Sequence, residues 1–255
     1  MERAVIVSDW QIPYEDPAAV RALMQYIGSR PPDLIVVLGD FWDFPQLTTK
    51  FVRRHTEPGS LEADLLRGRE YLIEMQTLAL GAPIIFIEGN HEERLRRYIE
   101  EQAPAIRDFL DTGGPLDLPT LIDPEDKVGM EYYGPYGEAW TYLSFVFKHG
   151  DHTGPYAAHK ELVAEGSSGM SGHTHRFEVA ARTDRGGAHA WYSIGCMCYT
   201  KGLRMPPGTV EGRNRVRDWQ QGFAEVVWDE GIFNVYPIII TSGSFIGPDG
   251  ERYGG

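Results

Sequence analysis

The sequence predicts an α/β fold, a mainly parallel sheet with helices on its faces. Between residues 4 and 91, short apolar runs without polar alternation take turns with amphipathic helical patterns. That is the texture of strands buried on both faces and joined by helical crossovers. Each of these strands runs directly into a cluster of acidic, amide or imidazole side chains. Ligands in open α/β sheets bind beyond the carboxyl ends of the strands, so these clusters mark the end of the sheet where a site is expected.

Residues 4 to 8 make the first strand, which ends on Asp9. Asp16 followed by Pro17 is an N-cap with proline at the first helical position, and Val20, Leu23, Met24 and Ile27 then fall at helical spacing. Pro31-Pro32 ends that helix. Residues 34 to 38 form a second buried strand leading to Asp40, residues 61 to 80 a long helix, and residues 84 to 87 a third strand followed by Gly89-Asn90-His91. From 101 to 138 helical periodicity is lost, proline and glycine recur and Tyr132, Tyr133 and Tyr136 gather ahead of Trp140, so the stretch reads as an insertion. A strand over 142 to 147 precedes His149-Gly150-Asp151, and a helix over 157 to 164 precedes Gly172-His173-Thr174-His175. Residues 177 to 183 and 190 to 196 form a hairpin through Arg185-Gly186-Gly187, and 223 to 228 with 232 to 240 form another across Asp229-Glu230-Gly231. The chain is read as a single domain over residues 1 to 255, carrying the insertion and a short tail after 242.

With 42% apolar and 24% charged residues, the composition is that of an ordinary globular protein, not a fibrous or disordered one. The longest apolar runs fall far short of the ~20 residues of a membrane helix. After Met1-Glu2-Arg3 only four apolar residues precede Ser8-Asp9, too few for a secretory leader, so a cytoplasmic location without a membrane partner is expected. The formal charge of -13 has the wrong sign for coating duplex nucleic acid, and an anionic substrate must be held by local cations or bound metal. Cys196 and Cys198 stand two apart on a predicted strand and share one face. They read as small buried apolar side chains, since the pair alone lacks the roughly four ligands of a zinc site.

Five clusters carry the chemistry: Asp9-Trp10-Gln11, Gly39-Asp40-Phe41-Trp42-Asp43, Gly89-Asn90-His91-Glu92, His149-Gly150-Asp151 and Gly172-His173-Thr174-His175. Taken singly, Asp9 reads as a helix cap, Asp40 as a turn residue and His149 as a satisfied core histidine. Taken together, each at a strand's exit, they read as a metal centre. Carboxylate, amide oxygen and imidazole are donors for borderline divalent metals such as Mn, Fe(II) or Zn.

These motifs resemble the signature of the calcineurin-like metallophosphoesterase superfamily: Asp-x-His, Gly-Asp-x-x-Asp, Gly-Asn-His-[Asp/Glu], a lone His and Gly-His-x-His. The resemblance runs over about residues 4 to 240, leaving out 101 to 138 and the tail. It implies an αββα sandwich of two mixed β-sheets flanked by helices. It also implies two divalent metal ions per chain, manganese foremost, with iron, zinc or magnesium as alternatives. Asp9, Asp40 and His175 match ligands of the first metal, while Asp40 as a bridge, Asn90, His149 and His173 match those of the second. His91 matches the histidine that meets the scissile phosphate without binding metal. Gln11 stands where the family usually has histidine, and it offers a neutral carbonyl oxygen, a harder and weaker ligand. Ile12-Pro13-Tyr14, Asn214 and the segment 219 to 222 look like the compact members found in bacteriophages and bacteria.

The implied activity is that of a dinuclear-metal-dependent phosphohydrolase, in which a metal-bridging hydroxide attacks phosphorus. His91 then protonates the leaving oxygen or stabilises charge, and Asp43 either orients His91 or is a solvated turn acid. Arg53, Arg54, Arg94, Arg96 and Arg97 are candidate contacts for a second phosphate, although Glu93 and Arg97 also have the spacing to pair on a wet helix face. Lys201, Arg204, Arg213, Arg215 and Arg217 make a looser basic stretch. The aromatic residues near 132 to 140 either stack on bases or build a small core.

The expected substrates are phosphodiesters of nucleotides or single-stranded nucleic acid, the latter making the chain a nuclease. The alternative is a phosphomonoesterase, but Gly39-Asp40-Phe41-Trp42-Asp43-Phe44-Pro45 lacks the Asp-Arg-Gly continuation of the Ser/Thr phosphatases. A third reading, a binding scaffold of the same fold with little catalysis, is permitted by Gln11 and opposed by the other motif residues.

Overall fold

A computed structural model describes residues 1–48, 59–201, 206 and 218–255. Arg53, Arg54, Arg204, Arg213, Asn214, Arg215 and Arg217 lie outside the described residues. The first half runs β1 (Glu2–Val7), α1 (Pro17–Ser29), β2 (Leu34–Val37), α2 (Leu61–Leu78), β3 (Ile84–Ile87), α3 (Glu93–Gln102), α4 (Leu118–Ile122) and β4 (Glu131–Tyr133). The second runs β5 (Ala139–Tyr142), β6 (Phe145–Lys148), α5 (Ala157–Glu165), β7 (Gly169–Ser171), β8 (Glu178–Asp184), β9 (Gly187–Ser193), β10 (Gly222–Asp229), β11 (Ile232–Ile239), β12 (Ser244–Ile246) and β13 (Arg252–Gly254).

The strands build two mixed sheets. One has the order β11-β10-β1-β2-β3-β4, with β1 to β4 parallel and β10 and β11 antiparallel at one side. The other has the order β5-β6-β7-β9-β8, in which β6, β7 and β9 are parallel. The missing alternation in β1 to β3 now has its cause. Val5, Val7, Ile35, Val37, Ile84 and Phe86 pack under α1 and α2, whereas Ala4, Ile6, Val36, Ile85 and Ile87 meet Phe145, Phe147, Met170 and Trp228 in the interior between the sheets. Successive strand residues point to opposite faces, and here both faces are apolar. Helix α5 covers the outer face of the second sheet through Ala158 and Leu162 on Val146 and Trp191. The layers are therefore helix, sheet, sheet, helix.

Local chemistry sets the boundaries. Asp16 accepts the Ala18 N–H at 3.0 Å to start α1, with Pro17 in its first turn. The strand expected over 142 to 147 is instead the end of β5, a tight turn and the start of β6. Leu143 and Ser144 both adopt positive φ, 46° and 67°, which gives a two-residue hairpin turn without the usual Asn-Gly or Asp-Gly signal. The stretch 101 to 138, read as an insertion, supplies α4, which contacts α2, and β4, which pairs in parallel with β3. Its Tyr132 ring stacks on Phe86 at 5.8 Å. The tail after 242 forms a separate hairpin of β12 and β13, whose Phe245 and Tyr253 pack edge-on to Tyr26 of α1.

Candidate metal centre

The parallel strands of both sheets release their chains toward one place. Asp9 and Gln11 follow β1, Asp40 follows β2, Asn90 and His91 follow β3, His149 follows β6, and His173 and His175 follow β7. Five of these residues hold the left-handed backbone region: Asp9 (φ 53°), Gln11 (55°), Asp40 (49°), His173 (66°) and His175 (57°). Such conformations cost of order 1–3 kcal/mol each in non-glycine residues, and they gather where a fold over-determines a site. Two glycines let the loops meet. A Cβ on Gly89 would lie 2.3 Å from the Asp40 amide nitrogen, and one on Gly172 only 1.8 Å from Ser8 Oγ.

Two groups of donors result. In the first, a donor atom from each of Asp9, Asp40 and His175 lies within 4.8 Å of the others, and Asp9 Oδ1 stands 3.1 Å from His175 Nε2. Gln11 joins it, with its Nε2 donating to Asp40 Oδ2 at 3.0 Å and lying 3.5 Å from His175 Nε2. The second group consists of Asp40, His149 and His173. His149 Nε2 lies 3.0 Å from His173 Nδ1, 3.1 Å from Asn90 Oδ1 and 3.4 Å from Asp40 Oδ1. Asp40 thus belongs to both groups.

The hydrogen bonds around these groups leave electron pairs facing inward. Asp9 Oδ2 accepts from Ser8 Oγ at 2.7 Å and from the His173 amide at 2.8 Å, while buried Oδ1 faces the ring of His175 at 3.1 Å. The buried Gln11 Oε1 has no hydrogen-bond donor, and turning that amide about its last bond brings oxygen to the place now held by nitrogen. His149 Nδ1 lies 2.6 Å from the Leu38 carbonyl and donates to it, so the Nε2 lone pair meets those of His173 and Asn90. Lone pairs converging at 3 Å need a cation between them, and buried charge has to be paired. The donor set suits Mn, Fe(II) or Zn, and the residues present fit two such ions.

In the metal-free protein, protons take this role. Burial opposes charge on His149, but the Asp40 carboxylate outweighs it and pushes the imidazolium up to about 9. His175 is likewise buried, and Asp9 holds it well above the usual histidine range. His173 goes the other way, to about 4, because burial and the charge on His149 both disfavour a second proton. Burial would raise Asp9 and Asp40, yet the adjacent histidines keep both below the ordinary carboxylate range.

His91 stands at the edge of this arrangement. Its Nδ1 is 2.8 Å from Asp43 Oδ1, its Nε2 is 3.7 Å from Asp40 Oδ2, and its amide donates to Asp40 Oδ1 at 2.8 Å. Arg94 hydrogen-bonds the Asp43 carbonyl and places Nη2 3.0 Å from His91 Nε2. Arg96 is committed elsewhere, bonded through both Nη atoms to Glu88 at 3.1 and 3.2 Å. Arg97 pairs with Glu93 at 3.4 Å on an exposed stretch of α3, the wet-face alternative. Tyr132 donates to Glu88, and Trp140 packs on Phe147, so both are core residues. Tyr136 instead donates to the Gly150 carbonyl at 3.0 Å and sets its ring edge to His149.

Two buried glutamates, to which the motifs assign no role, support the loops of the site. Buried Glu92 accepts backbone N–H groups of Asp40 (2.8 Å), Trp42 (2.9 Å) and Gly89 (3.0 Å), which ties the loops after β2 and β3 together. Burial and the Asp40 charge push its carboxyl up to about 8. Glu161 of α5 does the same for the loop after His149, accepting from the Asp151 amide at 2.6 Å and from His152 at 3.0 Å. Glu92 is visible as the fourth residue of its motif; Glu161 has no local signal. On the other side, the Trp219 ring lies 4.1 Å from that of His175 and forms part of a cavity of about 610 Å³ that Lys201, Gln221 and Thr241 also line.

The fold and this loop cluster define a metal-dependent phosphoesterase, and comparison with known proteins gives the family. The calcineurin-like phosphoesterase family matches residues 2–177, and the chain belongs to it. The Gene 54 protein of Mycobacterium phage L5 is 24% identical over 241 residues, 89% of each chain. The Gene 54 protein of Mycobacterium phage D29 is 24% identical over 261 residues, 96% of each chain. Among solved structures, wild-type Vps29 from Entamoeba histolytica complexed with zinc superposes with a TM-score of 0.49 at 10% identity, covering 95% of each chain. No helix among the described residues is long and apolar enough to cross a membrane.

Proposed function

We propose that this chain is a dinuclear-metal phosphodiesterase acting on nucleotides or single-stranded nucleic acid. The observation that carries the dinuclear reading is the double membership of Asp40, whose Oδ2 faces Gln11 and whose Oδ1 faces His149. Asp9, Gln11, Asp40 and His175 would hold one ion, and Asp40, Asn90, His149 and His173 the other. The ions, with manganese preferred because Gln11 supplies oxygen, would lower the pKa of a shared water and neutralise phosphoryl charge.

The chain's own groups do the rest. Arginine only donates, so the Arg94 contact makes His91 Nε2 an acceptor and leaves the ring proton on Nδ1, against Asp43. A phosphate ester seated at this edge takes the guanidinium for itself and frees Nε2 to take up a proton from water, which it then passes to the leaving oxygen. Between uptake and transfer of that proton, Asp43 stabilises the charged ring. Glu92 and Glu161 fix the loops, so that little reorganisation accompanies the reaction.

Support for a diester comes from what surrounds the reacting edge. Among the described residues one arginine, Arg94, reaches His91, which suits a singly charged phosphate better than a doubly charged one. The cavity beyond Trp219 leaves room for a base-bearing group. The net charge of -13 favours short or single-stranded substrates over a duplex. The segment 101 to 138 belongs to the same single domain in this reading.

The test is a turnover panel with Mn, Mg and Zn over bis(p-nitrophenyl) phosphate, p-nitrophenyl phosphate, a cyclic nucleotide, single-stranded DNA and duplex DNA. Higher kcat/KM for the diester and for single strands over duplex is expected. A monoester preference identifies a phosphomonoesterase instead, and no turnover with metal bound identifies a scaffold.

A further inference from the structure

Metal-ligating histidines ordinarily donate their second ring N–H to a carboxylate, carbonyl or water, which fixes tautomer and orientation. His175 is different. Its Nε2 faces Asp9 and Gln11, while Nδ1 points at Cys198 Sγ, 3.9 Å away. Cys196, Cys198 and the His175 ring bring their sulfur and nitrogen atoms within 4.8 Å of one another, and both cysteines are free and fully buried.

The segment that presents these sulfurs is fixed to the site by its backbone. The Met197 amide donates to the Asp9 carbonyl at 3.1 Å, the Asp16 amide to the Met197 carbonyl at 2.9 Å, and the Gly222 amide to the Cys196 carbonyl at 2.9 Å. Met197 packs into the core under α1 and α2, while the flanking cysteines lie toward His175. Both sulfurs neighbour the ring, but Cys196 Sγ donates to the Cys198 and Gln220 carbonyls at 4.0 and 3.7 Å, whereas Cys198 Sγ lies 3.9 Å from Nδ1 itself.

We propose that Cys198 is the positioning residue of His175: its sulfur accepts the Nδ1–H, fixes the tautomer and turns the Nε2 lone pair toward Asp9 and Gln11. The proposal rests on His175 being a metal ligand. It adds that the metal site is set from behind by a soft, polarisable acceptor on a segment hydrogen-bonded to the Asp9 backbone. Sulfur and carboxylate lie on opposite edges of the ring, so Cys198 acts through the imidazole rather than on the metal.

The experiment compares the parent with Cys198→Val, which keeps the bulk but not the acceptor, Cys198→Ser, which keeps an acceptor, and His175→Ala. Each is titrated with Mn, with thermal melting as a check on folding. Cys198→Val is expected to weaken one of two metal sites by about 10- to 100-fold, and Cys198→Ser to recover most of the loss. A merely structural role predicts the reverse order, since a buried hydroxyl replaces sulfur less well than a valine does. Unchanged metal affinity in Cys198→Val, or equal loss in both variants while His175→Ala also loses a metal, overturns the proposal and leaves the ligand role of His175 standing. Retention of both metals in His175→Ala removes that role and the proposal with it. Cobalt loading supplies a second readout. Absence of a thiolate-to-cobalt charge-transfer band supports action through the ring, and its presence makes the cysteines direct ligands and overturns the proposal.

Discussion

Asp43 Oδ1 and His91 Nδ1 are 2.8 Å apart, a contact between loops that leave β2 and β3, and it aims the opposite edge of the imidazole toward Asp40. His91 stands outside both donor groups. His91→Ala is therefore expected to keep its metal and to lose about 10²- to 10⁴-fold in kcat. Asp43→Asn should also keep the metal, with a smaller loss in kcat and little change in KM. Metal analysis beside steady-state kinetics checks both, and loss of an ion from His91→Ala would make His91 a ligand.

Gln11 offers the weakest donor of the first group. Dialysis is expected to empty one site before the other, with activity returning on addition of Mn more fully than of Zn. Gln11→His should slow that loss, and titration showing two equally tight sites in the parent would contradict the argument from ligand type.

Protons and metals compete for the same lone pairs. Asp40 pushes His149 up to about 9 and Asp9 holds His175 well above the usual histidine range, so at pH 7 metal uptake is expected to expel a proton from each, whereas His173, at about 4, is already neutral. The sign follows: metal affinity rises with pH up to about 9, by as much as about tenfold per unit for each proton displaced. Calorimetric titration in buffers of different ionisation enthalpy reads the released protons. An enthalpy that does not change with the buffer would show that His149 and His175 are both neutral before metal arrives.

Glu92 supports the loops rather than the chemistry. Glu92→Ala leaves three buried N–H groups without an acceptor and is expected to destabilise the metal-free protein by at least about 1–3 kcal/mol. Glu92→Gln, which keeps one acceptor oxygen, should lose less. Urea unfolding midpoints measure both, and a midpoint unchanged in the alanine variant would show that water takes over the latch.

The helical layers and the strand exits were legible because their signals are local. Asp16-Pro17 marks a helix start, and β1 to β3 each end at a polar motif within a few residues. What was hidden depends on contacts between distant segments. The Leu143-Ser144 turn carries no glycine or asparagine, and β4 finds its partner across more than forty residues. Glu161 and Cys198 reach the site from a helix and a strand-like segment whose local sequence reads as ordinary surface and core. The arginines divided for the same reason: Arg94 turns inward to Asp43, while Arg96 and Arg97, two and three residues on, find acidic partners of their own.

Asp40 is proposed to serve both metals, and counting metal tests that most directly. After equilibrium dialysis against Mn, the ions retained per chain are measured by mass spectrometry for the parent, Asp9→Ala and Asp40→Ala. About two ions are expected in the parent, about one in Asp9→Ala and fewer still in Asp40→Ala, because only the last removes a donor from both sites. Equal metal content in the two variants would contradict the bridging role.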